Sequence, residues 1–443
     1  MKMKAYPKYK KSGVEWLGEV PEHWVAWPFR RIIAQIKDGT HGTFERTSEG
    51  HPLLSAKNVS NNHIIISDNE SLISEDDYHA IVGNGFPRKG DLLLTIVGTI
   101  GRVLVYDKDD PLAFQRSVCF IRLARDISQS FYKYFIISKY FQEQLITYSK
   151  VSAQGGIYMG DVLKCAVITP PLPEQLSIAA YLDRETGRID SLIDKKQRIV
   201  KLLKEQRIAL ISHAVTKGLD PNVKMKLSGV EWLGEVPEHW EIKRTRYKVL
   251  MNPSKREISG LPLETEVPFL PMEAVGDNGS LTLELTRPIA EVTTGYTFFS
   301  EGDVSFAKIT PCFENGKGAI MQNLSTKFGF GTTELTVLRP GKTINNKYLY
   351  YLTISPEFRK NGEAWMYGAG GQKRVPDDFV REFIFSWPPL PEQRSIATYL
   401  DRETGRIDSL IEKVEKAIDI LKEHRTALIS AAVTGKIDVR EAA

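Results

Sequence analysis

Cysteine is scarce in this chain of 443 residues. Cys119, Cys165 and Cys312 are odd in number, scattered and never in C-x-x-C spacing, which argues against a disulfide framework and a thiolate zinc site. They read as buried or incidental thiols. No run approaches the roughly 18 apolar residues of a membrane span, and the basic start (MKMKAYPKYKK) has no apolar core behind it. Neither a span nor a secretory signal is expected, and the default compartment is the cytoplasm. Charge of one sign is also lacking: 59 Lys and Arg against 55 Asp and Glu leave a net charge of +4, which neither demands nor excludes nucleic acid.

Catalytic motifs are missing as well. The eight histidines give no H-E-x-x-H or other ligand spacing, so no metal site is expected. The nearest approach to the [DN]PP[YF] site of an amino-group methyltransferase, Asn252-Pro253-Ser254, lacks the second proline and the aromatic that would stack on an extruded base. Gly341-Lys342-Thr343 ends like a phosphate-binding loop, but Thr336 stands where its first glycine belongs. Phe328-Gly329-Phe330-Gly331 follows no cofactor-binding pattern and reads as a turn. No catalytic residue is assigned.

What is present is a tandem duplication. Residues 12–24 (SGVEWLGEVPEHW) recur letter for letter at 228–240, and residues 170–193 recur at 388–411 with two changes, Leu176/Arg394 and Ala180/Thr398. The stretches between, about 145 residues each, share little sequence and are each long enough for a core of their own. The expected organisation is a repeated segment (1–24), an insert (25–169), a helix (170–218), a linker with the second repeated segment (219–240), a second insert (241–387) and a second helix (388–438). A fixed frame around two diverged inserts suits two different readers held at a set distance.

The regions after both inserts read as long helices. Prolines 171 and 173 precede the first, and Gly218 and Gly435 sit where a C-terminal stop belongs. Steps of four and three give a heptad seam through Ile178, Leu182, Ile189, Leu192, Leu203 and Leu210 in the first helix. In the second the seam runs through Ile396, Leu400, Ile407, Leu410, Val414, Leu421 and Leu428. An intramolecular antiparallel pair is the expected geometry. Gly187 and Gly405 leave open a kink or a close helix approach.

The inserts read as α+β. Strand-like runs cover 63–66, 91–97, 102–106 and 118–123 in the first and 304–309 and 334–338 in the second. Gly90-Asp91 matches Gly302-Asp303, and Gly155-Gly156 matches Gly370-Gly371, so one fold is expected twice. The aromatic stretches at 131–145 and 347–358 are expected in the core. Polar and basic residues gather in glycine-rich loops between strands, with side chains suited to base edges and backbone suited to phosphates. In the first insert the candidates are Lys37, Thr40, His41, Thr43, Lys57, Asn58, Arg102, Gln115, Arg116 and Gln154. In the second they are Lys255, Arg256, Lys308, Asn315, Lys317, Thr332, Thr333, Gln372, Lys373 and Arg374.

The repeated SGVEWLGEVPEHW segments, the twin PPLPEQ…DRETGRIDSLI helices, residues 39–43 and 53–58, and Gly331-Thr332-Thr333-Glu334 ahead of a strand resemble the specificity subunit of type I restriction-modification enzymes. The resemblance covers essentially the whole chain. It implies an α+β fold with two target recognition domains separated by two long antiparallel coiled-coil helices in internal pseudo-twofold duplication. Each domain would read one half of a bipartite asymmetric site in double-stranded DNA. The helices would set the spacer and dock two modification (methyltransferase) subunits, which direct adenine methylation, and ATP-dependent restriction subunits would join the full complex. The chain would be non-catalytic and bind no cofactor itself, with S-adenosylmethionine, ATP and Mg2+ in its partners. The rival readings are a self-sufficient enzyme and a coiled-coil adaptor whose inserts bind protein.

Overall fold

The computed structural model describes residues 4–61, 63–149, 155–369 and 371–441. Gln154 and Gly370 therefore lie outside the described residues. The chain forms two compact units, Met1–Gln197 with Lys416–Ala443, and Arg198–Glu415. Each combines one insert with the opposite ends of both long helices.

Those helices run Leu172–Lys217 and Leu390–Val433. Each stops at its expected glycine, with Gly218 at φ +77° and Gly435 at φ +72°, a left-handed conformation that glycine adopts without a Cβ penalty. In the first unit Asp190 pairs with Arg425 at 2.9 Å while Glu174 lies 3.9 Å from Arg440, so the two helix ends run antiparallel. In the second unit Arg207 pairs with Asp408 at 3.0 Å and Gly218 packs beside Glu392, the same sense. Gly187 and Gly405 lie within unbroken helix, and a Cβ at either would meet nothing within 4 Å, so neither marks a close approach.

The seam departs from the heptad reading at alternate steps. Ile178, Leu182, Ile189, Ile396, Leu400 and Ile407 are buried, and Leu203, Leu210, Val414, Leu421 and Leu428 are half-buried. Leu192 and Leu410, expected inside, are 40% and 42% exposed, and their neighbours Ile193 and Ile411 turn inward instead. The reason lies two turns back. Thr186 and Thr404 are buried against the insert-derived Tyr134 and Tyr351, whose hydroxyls also donate to Asp183 at 2.6 Å and Asp401 at 2.9 Å. Each helix start is thus rotated toward its own domain, which moves every second inward position by one residue.

The inserts share one topology. Strands Ile33–Asp38, Val118–Leu123, Leu92–Thr95 and Val103–Val105 form an antiparallel sheet in that spatial order. Val249–Met251, Leu335–Pro340, Val304–Ala307 and Gly318–Ile320 do the same in the second unit. A smaller sheet carries a parallel pairing in each, Leu54 with Phe114 and Phe269 with Phe330. Phe328–Gly331 is therefore a strand rather than a turn; a Cβ on Gly329 would lie 2.8 Å from the Pro268 carbonyl, so the neighbouring backbone requires glycine. Residues 63–66, expected as a strand, contribute only a bridge from Ile64 to Val59, and Ile65 and Ile66 are exposed. The aromatic helices Gln129–Ile137 and Asn346–Ile354 are capped by Ser128 and Asn345, and Phe131, Tyr132, Tyr348 and Leu349 are buried in the domain cores.

Within each unit the two kinds of repeat meet. The Trp24 indole donates to Glu174 at 2.9 Å and His23 lies 2.6 Å from the same carboxylate; Trp240 and His239 hold Glu392 at 3.0 and 2.7 Å. Both tryptophans are buried, so they anchor each domain to the start of the helix that follows it. Gln175 and Gln393 complete the clasp: their side-chain oxygens accept from the Ser128 and Asn345 amides at 2.9 and 2.8 Å.

Candidate nucleic-acid interface

In the first unit the loops converge where strand Val118–Leu123 begins. The Gln115 amide donates to Leu54, Arg116 to Thr40, Thr40 to Phe114 and Ile96 to Ser117, each through backbone at 2.7–2.9 Å. The Ser117 hydroxyl accepts from the Ala56 amide at 3.0 Å. A Cβ on Gly39 would lie 2.2 Å from the Phe114 carbonyl, so this crossing needs glycine. Residues 39–43, 55–58, 95–102 and 115–117, far apart in sequence, thereby form one edge.

The candidates on this edge differ in availability. His41, Thr43, Lys57 and Arg116 are exposed, and Lys37, Thr40, Arg102 and Gln115 are half-buried. Lys37 is tied to Asn84, His41 lies 2.6 Å from Asp38, and Arg102 donates to the Val59 carbonyl at 3.3 Å. Asn58 is a correction. It is buried, its oxygen accepts from the Ser55 amide at 2.8 Å, and its nitrogen donates to Ile65 and Glu70 at 2.9 and 2.6 Å. Its side chain holds the loop and is spent before any base could be met. Burial pushes the Glu70 carboxyl up, but Lys57, Asn58 and the Ser71 amide outweigh it and hold it below the usual carboxylate range.

The second unit builds the same edge with other side chains. Thr332 donates through its amide to Leu270, Lys308 to Glu334 and Val375 to Lys308, at 2.8–3.0 Å. Thr332, Thr333 and Glu334 thus occupy the places of Gln115, Arg116 and Ser117, while Lys308 stands at Ile96 and Arg374 at Gly156, judged by matching bridges to Ile309 and Val97. Arg256, Asn315, Thr333, Gln372 and Lys373 are exposed; Lys308, Lys317, Thr332 and Arg374 are half-buried. Lys317 reaches the Met272 carbonyl at 3.1 Å, much as Arg102 reaches Val59. Lys255 sits apart from this edge, donating to the Thr293 carbonyl at 2.6 Å and lying 5.6 Å over the Phe330 ring, and burial pushes its ammonium pKa down.

Two residues that composition did not single out shape the edge. Gln142 donates to the Gly101 carbonyl at 2.9 Å, and Arg359 donates to the Phe313 carbonyl at 2.8 Å, each holding the turn that leads to Arg102 or Lys317. Both stand four residues after the serines, Ser138 and Ser355, that precede their helices, and that shared offset is the signal that could have found them. Glu334, the last residue of the Gly331–Glu334 loop, accepts from Arg374 in a two-pronged pair at 2.9 and 2.7 Å, which holds its carboxyl below the usual range. The edge offers guanidinium, ammonium, amide and hydroxyl groups on a fixed backbone, a set suited to hydrogen-bonding recognition. Among the described residues no group of three or more His, Cys, Asp or Glu could hold a metal ion, and no helix is long and apolar enough to cross a membrane.

A sequence model described as "Type I restriction modification DNA specificity domain" matches residues 44–201 and again 262–419. The EcoAI specificity subunit of a type I restriction enzyme from Escherichia coli is 39% identical over 188 residues, 42% of this chain and 31% of that protein. The EcoEI subunit, also from Escherichia coli, is 33% identical over 224 residues, 50% of this chain and 37% of its own length. The chain thus spans about a third of the length of these two relatives. The EcoKI subunit of Escherichia coli strain K12 is 20% identical over 440 residues, covering 95% of this chain and 90% of that one. Among solved structures, a chain from a study of complex assembly and conformational transition in a type I R-M system aligns with TM-score 0.68 at 16% identity, covering 94% of this chain and 99% of that chain. An HsdS subunit from Thermoanaerobacter tengcongensis aligns with TM-score 0.50 at 15% identity, covering 94% and 98%.

Proposed function

Because this chain belongs to the type I restriction-modification DNA specificity family, whose sequence model matches it twice, we propose that residues 25–169 and 241–387 are target recognition domains, each reading one half of a bipartite site in double-stranded DNA. The single observation that carries this is the twice-built loop edge: one backbone arrangement, two different sets of side chains. A protein that binds one ligand twice has no use for that divergence, whereas an asymmetric sequence requires it.

In this reading the exposed lysines and arginines contact phosphates and make affinity fall with salt. A few groups on each edge discriminate bases, each good two-pronged contact contributing about 1–3 kcal/mol. The long helices set the unread gap and, with the repeated segments, dock two modification subunits; restriction subunits complete the assembly. Methyl transfer from S-adenosylmethionine and ATP- and Mg2+-dependent restriction belong to those partners. The chain itself recognises DNA and catalyses nothing, in the cytoplasm.

The test is adenine-methylation mapping in a methylation-free bacterium that expresses the chain with its neighbouring modification subunit, beside the modification subunit alone. A bipartite motif with an unread gap, seen only with the chain present, is the expected outcome. Absence of a motif with both proteins soluble and associated would sink the reading.

A further inference from the structure

We propose that Arg374, held by Glu334, reads a guanine in the half-site of the second domain. The inference rests on the DNA-reading function just proposed and adds a residue and a base to it. Its first support is rigidity. The Arg374 backbone is fixed on both sides, exchanging hydrogen bonds with Tyr367 at 2.9 and 3.2 Å, while the next residue, Val375, donates to Lys308 at 2.8 Å. Glu334 is fixed equally well, because its carbonyl accepts from the Lys308 amide at 2.8 Å.

The second support is the orientation of the guanidinium. Nε and Nη2 donate to the two oxygens of Glu334, which sets the plane of the group and uses two of its five N–H bonds. The Nη1 and outer Nη2 hydrogens remain, and among the described residues they have no acceptor. Two parallel N–H groups on that edge match O6 and N7 of guanine in the major groove, the commonest specific contact of arginine. The Arg374 side chain is 43% exposed and Glu334 23%, so the pair lies at the surface and the arginine is its more exposed member. A guanidinium held this way loses little rotamer freedom on binding.

The third support is the contrast between domains. On the matching backbone of the first domain Gly156 stands at the arginine position and Ser117 at the carboxylate position. The pair belongs to one reader only, as a specificity determinant should.

The test maps methylation by the wild-type chain with its modification subunit, and by Arg374→Gln, Arg374→Lys and Glu334→Gln. Exchanging residues 241–387 for those of another family member identifies the half-site this domain reads. The expected result is a G·C pair in that half-site whose preference falls about ten- to a hundredfold in Arg374→Gln, with the other half-site and the gap unchanged. Arg374→Lys should not fully restore it, because a flexible ammonium lacks the planar fork that Glu334 orients. Glu334→Gln, the mildest change, should weaken the same position alone and guards against a misfolded arginine variant. Three results would overturn the inference: a half-site without a G·C pair, unchanged preference in Arg374→Gln and Glu334→Gln, or a uniform loss at all sites with a shallower salt dependence, which marks a phosphate contact. A wild-type chain that yields no bipartite motif defeats the proposed function instead.

Discussion

Glu174 and Glu392 occupy the same place in the two units, but they are not equally supported. Each accepts from a tryptophan and meets a histidine. Glu174 is also reached by the Tyr6 hydroxyl at 3.2 Å and lies 3.9 Å from Arg440. Burial and the Glu174 charge drive the Tyr6 phenol far above its ordinary range, so it stays a neutral donor. The difference teaches what the duplicated copies share: the tryptophan–carboxylate clasp is common to both, while its reinforcement by Tyr6 and Arg440 belongs to one. The largest expected effects therefore come from the shared part. Trp24→Ala and Trp240→Ala should each cost about 3–5 kcal/mol, by cavity formation plus a stranded carboxylate. Urea unfolding followed by circular dichroism checks this; a cost under about 1 kcal/mol for either would break the equivalence of the clasps.

The unshared part should appear as a smaller difference between glutamates. Glu174→Ala strips more partners and should cost about 2–3 kcal/mol, against about 1–2 kcal/mol for Glu392→Ala. Equal costs would mean that Tyr6 and Arg440 add nothing to the first clasp. A double-mutant cycle isolates the tyrosine contribution, with Tyr6→Phe measured alone and in combination with Glu174→Ala.

Acid sharpens the same comparison at the loop edges. The first domain has the Lys57–Asn58–Glu70 network. The second has Ala274 where Asn58 stands, a side chain that can hold no carboxylate beneath it. The Glu70 pKa is held below its ordinary value in the folded state, so the folded protein binds this proton less readily than the unfolded chain. The stabilisation is therefore fully present above the ordinary glutamate range and lost as pH falls through the lowered folded value. Unfolding measured from neutral pH down through the carboxylate range should show an acid-dependent loss that Glu70→Gln reduces. An unchanged pH profile in that variant would show that the network contributes nothing to stability.

Much of this architecture is legible in the sequence because duplication writes it twice. The repeats located both helices and contain the clasp residues, and the run 118–123 is the observed strand Val118–Leu123. The loop edge was legible in composition but not in arrangement. Its loops meet only through long-range pairings, such as Leu54 with Phe114, that no local pattern reports. Asn58 looked like a base reader because asparagine in a polar loop suits that role, and only its contact with Glu70, twelve residues on, shows it to be a brace. Arg359 was hidden for the opposite reason: it lies beside an aromatic helix, where the pattern points to core, and it is indeed buried among Phe306 and Phe313 while it holds a loop.

The helix seam gives the sharpest test, because adjacent residues carry opposite assignments. The apolar letters Leu410 and Ile411 fit a heptad about equally well, and spacing alone chose Leu410. The structure chooses Ile411, which is 9% exposed, because Thr404 two turns back is drawn inward by Tyr351. Ile411→Ala should then cost about 2–4 kcal/mol, whereas Leu410→Gln should change stability by no more than about 0.5 kcal/mol. The reverse order would restore the simple heptad and break the link between the tyrosine contact and the seam. If Leu410→Gln leaves stability intact but weakens co-purification with the modification subunit, the residue displaced from the seam becomes part of the proposed docking face. The one-residue rotation imposed by the domain would then be what frees Leu410 to meet a partner.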